Sequence, residues 1–511
     1  MLALLIAYHL AFTPSTLVAH EITPPTPAAP ITVPVSVPVA ERCEAARSSA
    51  AGGGPAAEPI LARAADVTGL DRVGSTVLHY RAVDVSEQNF QSDRTYPPYF
   101  SYTFSRDVWF DPATGAERAA SQMTGGGVGP LPASVTLSSA HATFAGRDTL
   151  LRPTPQAHAS TAALRPLNVW AVLGDWRAAG DVRVAGRCLY REAWRTVLAR
   201  GTGAGEERLY VDPESGFPVK LDREEPHYLW GQVRAEYLYS TWQGVGAATL
   251  PVASFRLVDG ATEMARSFGT LALAPRDSAP RLTLPDTAVV MTSETPRFLQ
   301  PLPPDTVRVG ANAFLLVNPG YTHAVALLGD TVVVFDATQR EERSRQDSVW
   351  IGKLFPGRHP IAVVVTDLAW PHVAGVRYWV AAGATIISHR ESRAFLGRVV
   401  DRRWTRAPDL LERRRGKAQF RFTAVADSLP LPGGARLYAI DGIGSEGALM
   451  AYLPAARFLW ASDYIQTTTQ PSSYAAEVWR AAQRAGIAPE RTAAQHLRLT
   501  PWSVVDSLAR R

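Results

Sequence analysis

"VVVTDLAWPHVAG", residues 363–375, sets an unbroken β-branched run against a short turn and a string of small residues. A strand that is apolar at consecutive positions, not at alternate ones, is covered on both faces, as in the inner sheet of a layered α/β arrangement. The run stops at Thr366-Asp367, and Ala374-Gly375 leads into the helical stretch "HVAGVRYWVAAG". Loops beyond the carboxyl ends of such strands are where open sheets place ligand chemistry. Within this loop His372 is the one good metal ligand.

The flanking segments extend the pattern. "NAFLLVNPG" and "HAVALLGDTVVVFDAT" read as strands joined by a turn, followed by a polar helix "REERSRQDSVWIGKLF". "ATIISH" is a strand and "RESRAFLGRVV" a helix; "ARLYAIDGI", "GALMAYLP" and "RFLWASDYI" are three further strands. "SYAAEVWRAAQRAGI" forms a helix before the closing "TAAQHLRLTPWSVVDSLAR". Strands and helices that alternate in this way build layers around a sheet core.

From about residue 295 this order resembles the metallo-β-lactamase fold, a four-layer αββα sandwich. "AAGATIISHRESRAF", "AYLPAARFLWASD" and "VVVFDAT" with its polar helix carry the likeness, in the family's order. Active members hold two metals on a His-x-His-x-Asp-His loop, where closely spaced imidazoles and a carboxylate converge and activate a bridging hydroxide. The resemblance places that motif on Asp367, Ala369, Pro371 and His372. Alanine has no donor atom, and proline has no side-chain ligand. The next family histidine falls on Gly444, the bridging aspartate on Asp463 and the last histidine on His496.

Sorted by metal, the first set (Asp367, Ala369, Gly444) is erased, apart from a doubtful carboxylate at Asp367. The second set keeps His372, Asp463 and His496 but has Pro371 in place of its fourth member. Two imidazoles and a carboxylate are a legitimate ligand set for zinc or iron. The expectation is a protein without a metal cofactor whose dinuclear site is lost and which works by binding or scaffolding. One zinc or iron at His372, Asp463 and His496, in a divergent hydrolase, is the alternative. His389, His323, Asp336 and Asp441 are read as loop or strand-end residues, and Glu446 as a solvated loop carboxylate beside Gly444.

Residues 59–290 are patterned differently. "TVLHYRAVDV", "YFSYTFSRDVWFDPATG", "RLYVDPESGFPVKLDRE", "VRAEYLYSTWQGV" and "ASFRLVDG" alternate as antiparallel strands do. Asp-Pro-x-x-Gly occurs at 111–115 and 212–216, where proline presets the turn and glycine takes its left-handed position. Residues 58–66 suggest one helix ahead of the strands. The opening helix, "WFDPATGAER", "YVDPESGFPVKLD" and "YSTWQGVGAATLP" weakly resemble the lipoprotein-carrier-like half-barrels of bacterial envelope proteins. That resemblance implies a concave apolar face able to take a lipid or another apolar molecule, set against a packing domain without ligand. Phe100, Tyr102, Phe104, Trp109 and Phe110 are assigned to the core.

The expected class is therefore α+β: a half-barrel-like domain at 59–290 and a degenerate metallo-β-lactamase-like domain at 295–511. Ahead of them, "MLALLIAYHLAF" within 1–20 reads as a signal segment, with Ala19 before a cleavage point, although it lacks the charged start of such segments. The Pro/Ala/Thr tract at 21–58 reads as an extended linker. Export to a periplasmic or extracellular setting follows from these two readings. Two cysteines, Cys43 and Cys188, cannot build a four-thiolate zinc site, and either pair or stand alone.

The 511 residues are 46% apolar and 19% charged with a net charge of +5, the balance of a globular chain. The excess is spread out, with Arg413-Arg414-Arg415 its densest run, so nucleic acid is not an expected partner. No apolar run is long enough for a transmembrane span. "MTGGGVGP" lacks the Lys-Ser/Thr of a phosphate loop, and "GIGSEG" precedes a strand instead of opening a helix, which excludes a dinucleotide site.

Overall fold

The structure is a computed structural model. It describes residues 41–45, 56–87, 101–125, 133–140, 143–147, 150–153, 161–227, 229–283, 302–318, 321–440, 447–465 and 473–510. Phe100, Asp441, Gly444, Glu446 and the signal-like segment 1–20 lie outside them. No helix among the described residues is long and apolar enough to cross a membrane.

In the first half, fourteen described strands form one antiparallel sheet. Its order begins at the edge strand Arg42–Ala45, passes to Arg183–Tyr190 and runs on to Ala261–Pro275. It then returns to Thr76–Glu87 and continues to Leu150–Pro153. Both Asp-Pro-x-x-Gly segments make the turns expected of them. Gly115 and Gly216 adopt φ of 67° and 82°, and each donates its N–H to the aspartate carbonyl of its turn at 2.8 Å.

Two helices, Glu58–Thr68 and Val169–Arg177, cover one face of this sheet. The first carries proline near its start and ends at the left-handed Gly69; the second is capped by Asn168, whose side chain accepts from Trp170 N at 3.1 Å. Leu61, Ala64, Trp170, Leu173 and Trp176 pack with Tyr80, Phe110, Leu198, Leu209 and Tyr237. The helix at 169–177 is not foreseen from sequence; it packs on the sheet through Trp170, Leu173 and Trp176. Phe104 and Phe110 are buried as assigned, whereas Trp109 is half-buried and stacks on His79 with ring centroids 3.9 Å apart.

Within the stretch read as linker, residues 42–45 form the edge strand, pinned by a Cys43–Cys188 disulfide across 145 residues. The preceding Glu41 pairs with Lys220, whose side chain is wholly buried on the sheet's other face. The Lys220 ammonium also lies 3.3 Å from Glu236 and 4.0 Å from the centre of the Tyr210 ring. A buried ammonium must be paired, and the edge strand supplies its closest carboxylate.

The second half contains a seven-stranded sheet running in chain order from Asp305–Gly310 to Arg421–Val425, antiparallel at first and parallel from Thr331–Phe335 onward. A six-stranded sheet runs from Ser428–Pro430 to Leu497–Pro501. Leu315, Val333, Val364, Leu437, Leu449 and Trp460 form the core between the two sheets. The helices Glu341–Leu354, Val376–Ala381 and Ser392–Asp401 pack on the first sheet through Ile351, Trp379 and Phe395. Ser473–Arg484 and Trp502–Ala509 pack on the second through Val478, Ala482 and Val505. The strand Ile361–Val364 is buried on both faces, as its unbroken apolar run requires.

The halves interlock. Leu229, at a hairpin tip of the first half, is buried in the same core as Phe395, and Trp230 meets the Phe395 ring edge-on at 5.3 Å.

Candidate functional site

Three strand ends meet where the family resemblance puts its metals. The strand Thr331–Phe335 delivers Asp336, Ile361–Val364 delivers Thr366 and Asp367, and Phe458–Trp460 of the facing sheet delivers Ser462 and Asp463. Asp336 and Ser462 both take a left-handed backbone, φ 78° and 55°, which costs energy for a residue with a Cβ and is held by surrounding contacts.

Asp336, read from sequence as a plain strand end, is the hub. Its Oδ1 accepts from Thr366 N (2.9 Å) and Thr366 Oγ1 (2.7 Å), and its Oδ2 accepts from Trp460 Nε1 (3.1 Å). The Thr366 hydroxyl also shares a hydrogen bond with Ser462 Oγ at 2.7 Å, tying the two sheets together. His372 Nδ1 lies 3.0 Å from Asp336 Oδ2, off the hydrogen-bonding axis. Burial alone would lower the His372 pKa, but Asp336, with help from Asp367 and Asp463, pushes it up to about 9.

The short helix Trp370–Val373 and the following Gly375 position that ring. His372 O accepts from Ala337 N (2.8 Å), and Ala337 O accepts from Gly375 N (2.9 Å). A Cβ at Gly375 would run into Ser344 Oγ and sit 2.9 Å from Ala337 O, so the glycine is needed for this close approach. His372 is fully buried, and its Nε2 has no hydrogen-bond partner among the described residues.

Asp367 is held elsewhere. One carboxylate oxygen accepts from Ala369 N and the other from the Tyr464 hydroxyl at 3.0 Å. Tyr464 and Asp367 are 1% and 2% exposed, so this carboxylate is sealed from solvent. The tyrosine, adjacent in sequence to Asp463, is a site residue that sequence reasoning missed.

Asp463 and His496 are brought together, with His496 Nε2 3.4 Å from Asp463 Oδ1, and both remain partly exposed. Burial holds the Asp463 carboxyl above its usual range, against the opposing pull of His496 and His372. Tyr321, wholly enclosed, lies 4.9 Å ring to ring from His496. His323, read as a loop residue, is instead buried on the strand Thr322–Leu328 and 3.4 Å from Asp347. His389 ends the strand Thr385–His389, and its Nδ1 accepts from Glu391 N at 3.4 Å.

Donor atoms of His372, Asp463 and His496 do not all lie within 4.8 Å of one another. Among the described residues the one group that meets this spacing is Glu41, Cys43 and Cys188, whose sulfurs are bonded to each other. Asp367 accepts from two protein donors, and Ala369 has no side-chain donor atom.

No protein-family model matches this sequence, and no curated protein matches it. Among solved structures, the DIM-1 metallo-beta-lactamase is similar at 13% identity and a TM-score of 0.32, covering 41% of this chain and 98% of its own. A metallo-beta-lactamase from Erythrobacter litoralis is similar at 15% identity and a TM-score of 0.31, covering 40% of this chain and 95% of its own. FIM-1 from Pseudomonas aeruginosa, in its mono-zinc form, is similar at 11% identity and a TM-score of 0.32, covering 42% of this chain and 96% of its own.

Proposed function

We propose that the second half is a metallo-β-lactamase-type αββα sandwich that has lost the dinuclear zinc site and serves binding or scaffolding in an exported protein. The observation that carries this reading is the state of Asp367. It stands at the first ligand position, yet its oxygens are taken by Ala369 N and Tyr464 Oη and it is sealed from solvent. A carboxylate held by two protein donors, in a place closed to solvent, must give up those bonds or share its oxygens before it can take an ion.

The test is metal analysis of protein purified without chelators from zinc- and iron-supplemented culture. Less than a tenth of an equivalent of either metal, and no thermal shift on adding zinc, is the expected result on the order of what a site lacking three ligands allows. Near-stoichiometric metal that disappears in a His372→Ala, His496→Ala double variant overturns it.

Two observations favour other readings. The close Asp463–His496 pair, with a His372 Nε2 that has no partner among the described residues, supports one zinc or iron in a divergent hydrolase. The same metal analysis decides that case. In the first half, a cavity of about 420 Å³ lies beside the helix at 169–177, where apolar residues such as Val172, Trp176 and Leu221 share the lining with charged ones such as Arg165, Arg200 and Arg223. It supports carriage of a small amphiphilic molecule or lipid, which mass spectrometry of the purified protein would find as a co-purified ligand.

A further inference from the structure

The hairpin that joins the two halves turns between the strands Pro218–His227 and Gly231–Val245. Its tip leaves the first half and enters the second, where Leu229 is 1% exposed among the residues that pack on the seven-stranded sheet. Arg402, just after the helix Ser392–Asp401, holds the tip from the other side. Its guanidinium donates to Trp230 O (2.8 Å) and Gln232 O (2.7 Å) and pairs with Asp259 at 2.7 Å.

The shape of the tip is set by one imidazole. His227 Nδ1 lies 3.2 Å from Leu229 N and 3.1 Å from Trp230 N and accepts from both. A backbone N–H can only donate, so Nδ1 carries no proton and the ring is the neutral Nε2–H tautomer. A proton on Nδ1 would set three N–H groups against one another in a buried turn, breaking both bonds and leaving their donors unpaired.

The surroundings oppose that proton as well. Burial and then the Arg256 guanidinium hold the His227 pKa down to about 3, with Arg402 adding to the effect. Glu225, on the same strand, acts in the opposite sense, but its carboxylate is shared with Arg223 and Arg256. Arg256 is also paired with Glu263, and Arg406 of the second half reaches Glu224 at 3.4 Å.

We propose that His227 is an acid-sensitive latch between the two halves, whose protonation unmakes the turn that seats Leu229 and Trp230 in the second half. The sign is fixed by the depressed value. The latch is fully closed above the ordinary histidine range, near pH 6.5, and weakens as pH falls from there toward 3. Opening frees the tip without requiring either core to unfold, and it changes the geometry between the halves.

Hydrogen exchange of the full chain across pH 7 to 4, corrected for intrinsic rates, tests this. Protection of the Leu229 and Trp230 amides should fall about tenfold per pH unit below 6.5, the slope for one linked proton. Strand Ile361–Val364 should keep its protection. In His227→Asn the amide oxygen takes the place of Nδ1 and does not titrate, so the tip should stay protected throughout. Equal acid loss in that variant, or a wild-type tip still fully protected at pH 4, overturns the proposal. Should the variant not fold, the wild-type profile decides alone: simultaneous loss at the tip and at Ile361–Val364 means global acid unfolding and overturns the latch.

Discussion

The Tyr464 hydroxyl donates to the Asp367 carboxylate at 3.0 Å, joining a residue of the six-stranded-sheet side to one that ends a strand of the other sheet. Removing the hydroxyl leaves a buried carboxylate oxygen short of a donor. Tyr464→Phe should therefore lower stability by about 1–3 kcal/mol. Urea denaturation followed by circular dichroism measures it, and an unchanged midpoint would mean that Asp367 is satisfied in another way.

Asp336 gathers Thr366, Trp460 and His372 in a place without solvent. Asp336→Ala would strand an imidazole and three donors together, at a cost of about 3–5 kcal/mol, the range for breaking a buried charged pair from one side. Thermal melts of the soluble fraction should show a clear fall in Tm; a variant as stable as wild type would show that the hub holds nothing together.

Gly375→Ala tests the close approach behind His372. The added methyl meets Ser344 Oγ and the Ala337 carbonyl, so either the helix Val376–Ala381 or the 337–344 segment must shift. Overpacking of this kind costs roughly 1–3 kcal/mol. A denaturation midpoint at or above the wild-type value would contradict the crowding.

The Cys43–Cys188 bond closes a span of 145 residues. On chain entropy alone its removal should cost up to about 5 kcal/mol. The effect has a local signature as well, because the edge strand brings Glu41 to the buried Lys220. Reduction, or a Cys43→Ser, Cys188→Ser pair, should expose residues 41–45 to limited proteolysis before the rest of the first half. Even digestion across that half would count against this tether.

Much of the architecture was legible locally. The unbroken run at 361–365 announced a strand covered on both faces, and each Asp-Pro-x-x-Gly wrote its own hairpin turn. The helix Val169–Arg177 was not read, since nearly all its positions are apolar and no polar stripe marks a period; Asn168 was the available signal. The site was harder. Asp336, Thr366 and Trp460 are each unremarkable letters at strand ends, separated by long stretches of chain, and only the meeting of two sheets makes them one network. Tyr464 stood beside an aspartate that had been singled out, but nothing in a single sequence says that a tyrosine will turn back onto Asp367.

The first-half sheet is completed late in the chain. Thr76–Glu87 pairs along its length with Ala261–Pro275, and Arg42–Ala45 waits for Arg183–Tyr190. An emerging polypeptide therefore holds its earliest strands unpaired on one side through the synthesis of most of this domain. Pairings between such distant segments are slow to form, and exposed strand edges invite other chains. Assembly of this half thus waits for its last strand, Ala261–Pro275, and a chain truncated before that strand should collect as aggregates instead of a smaller folded domain.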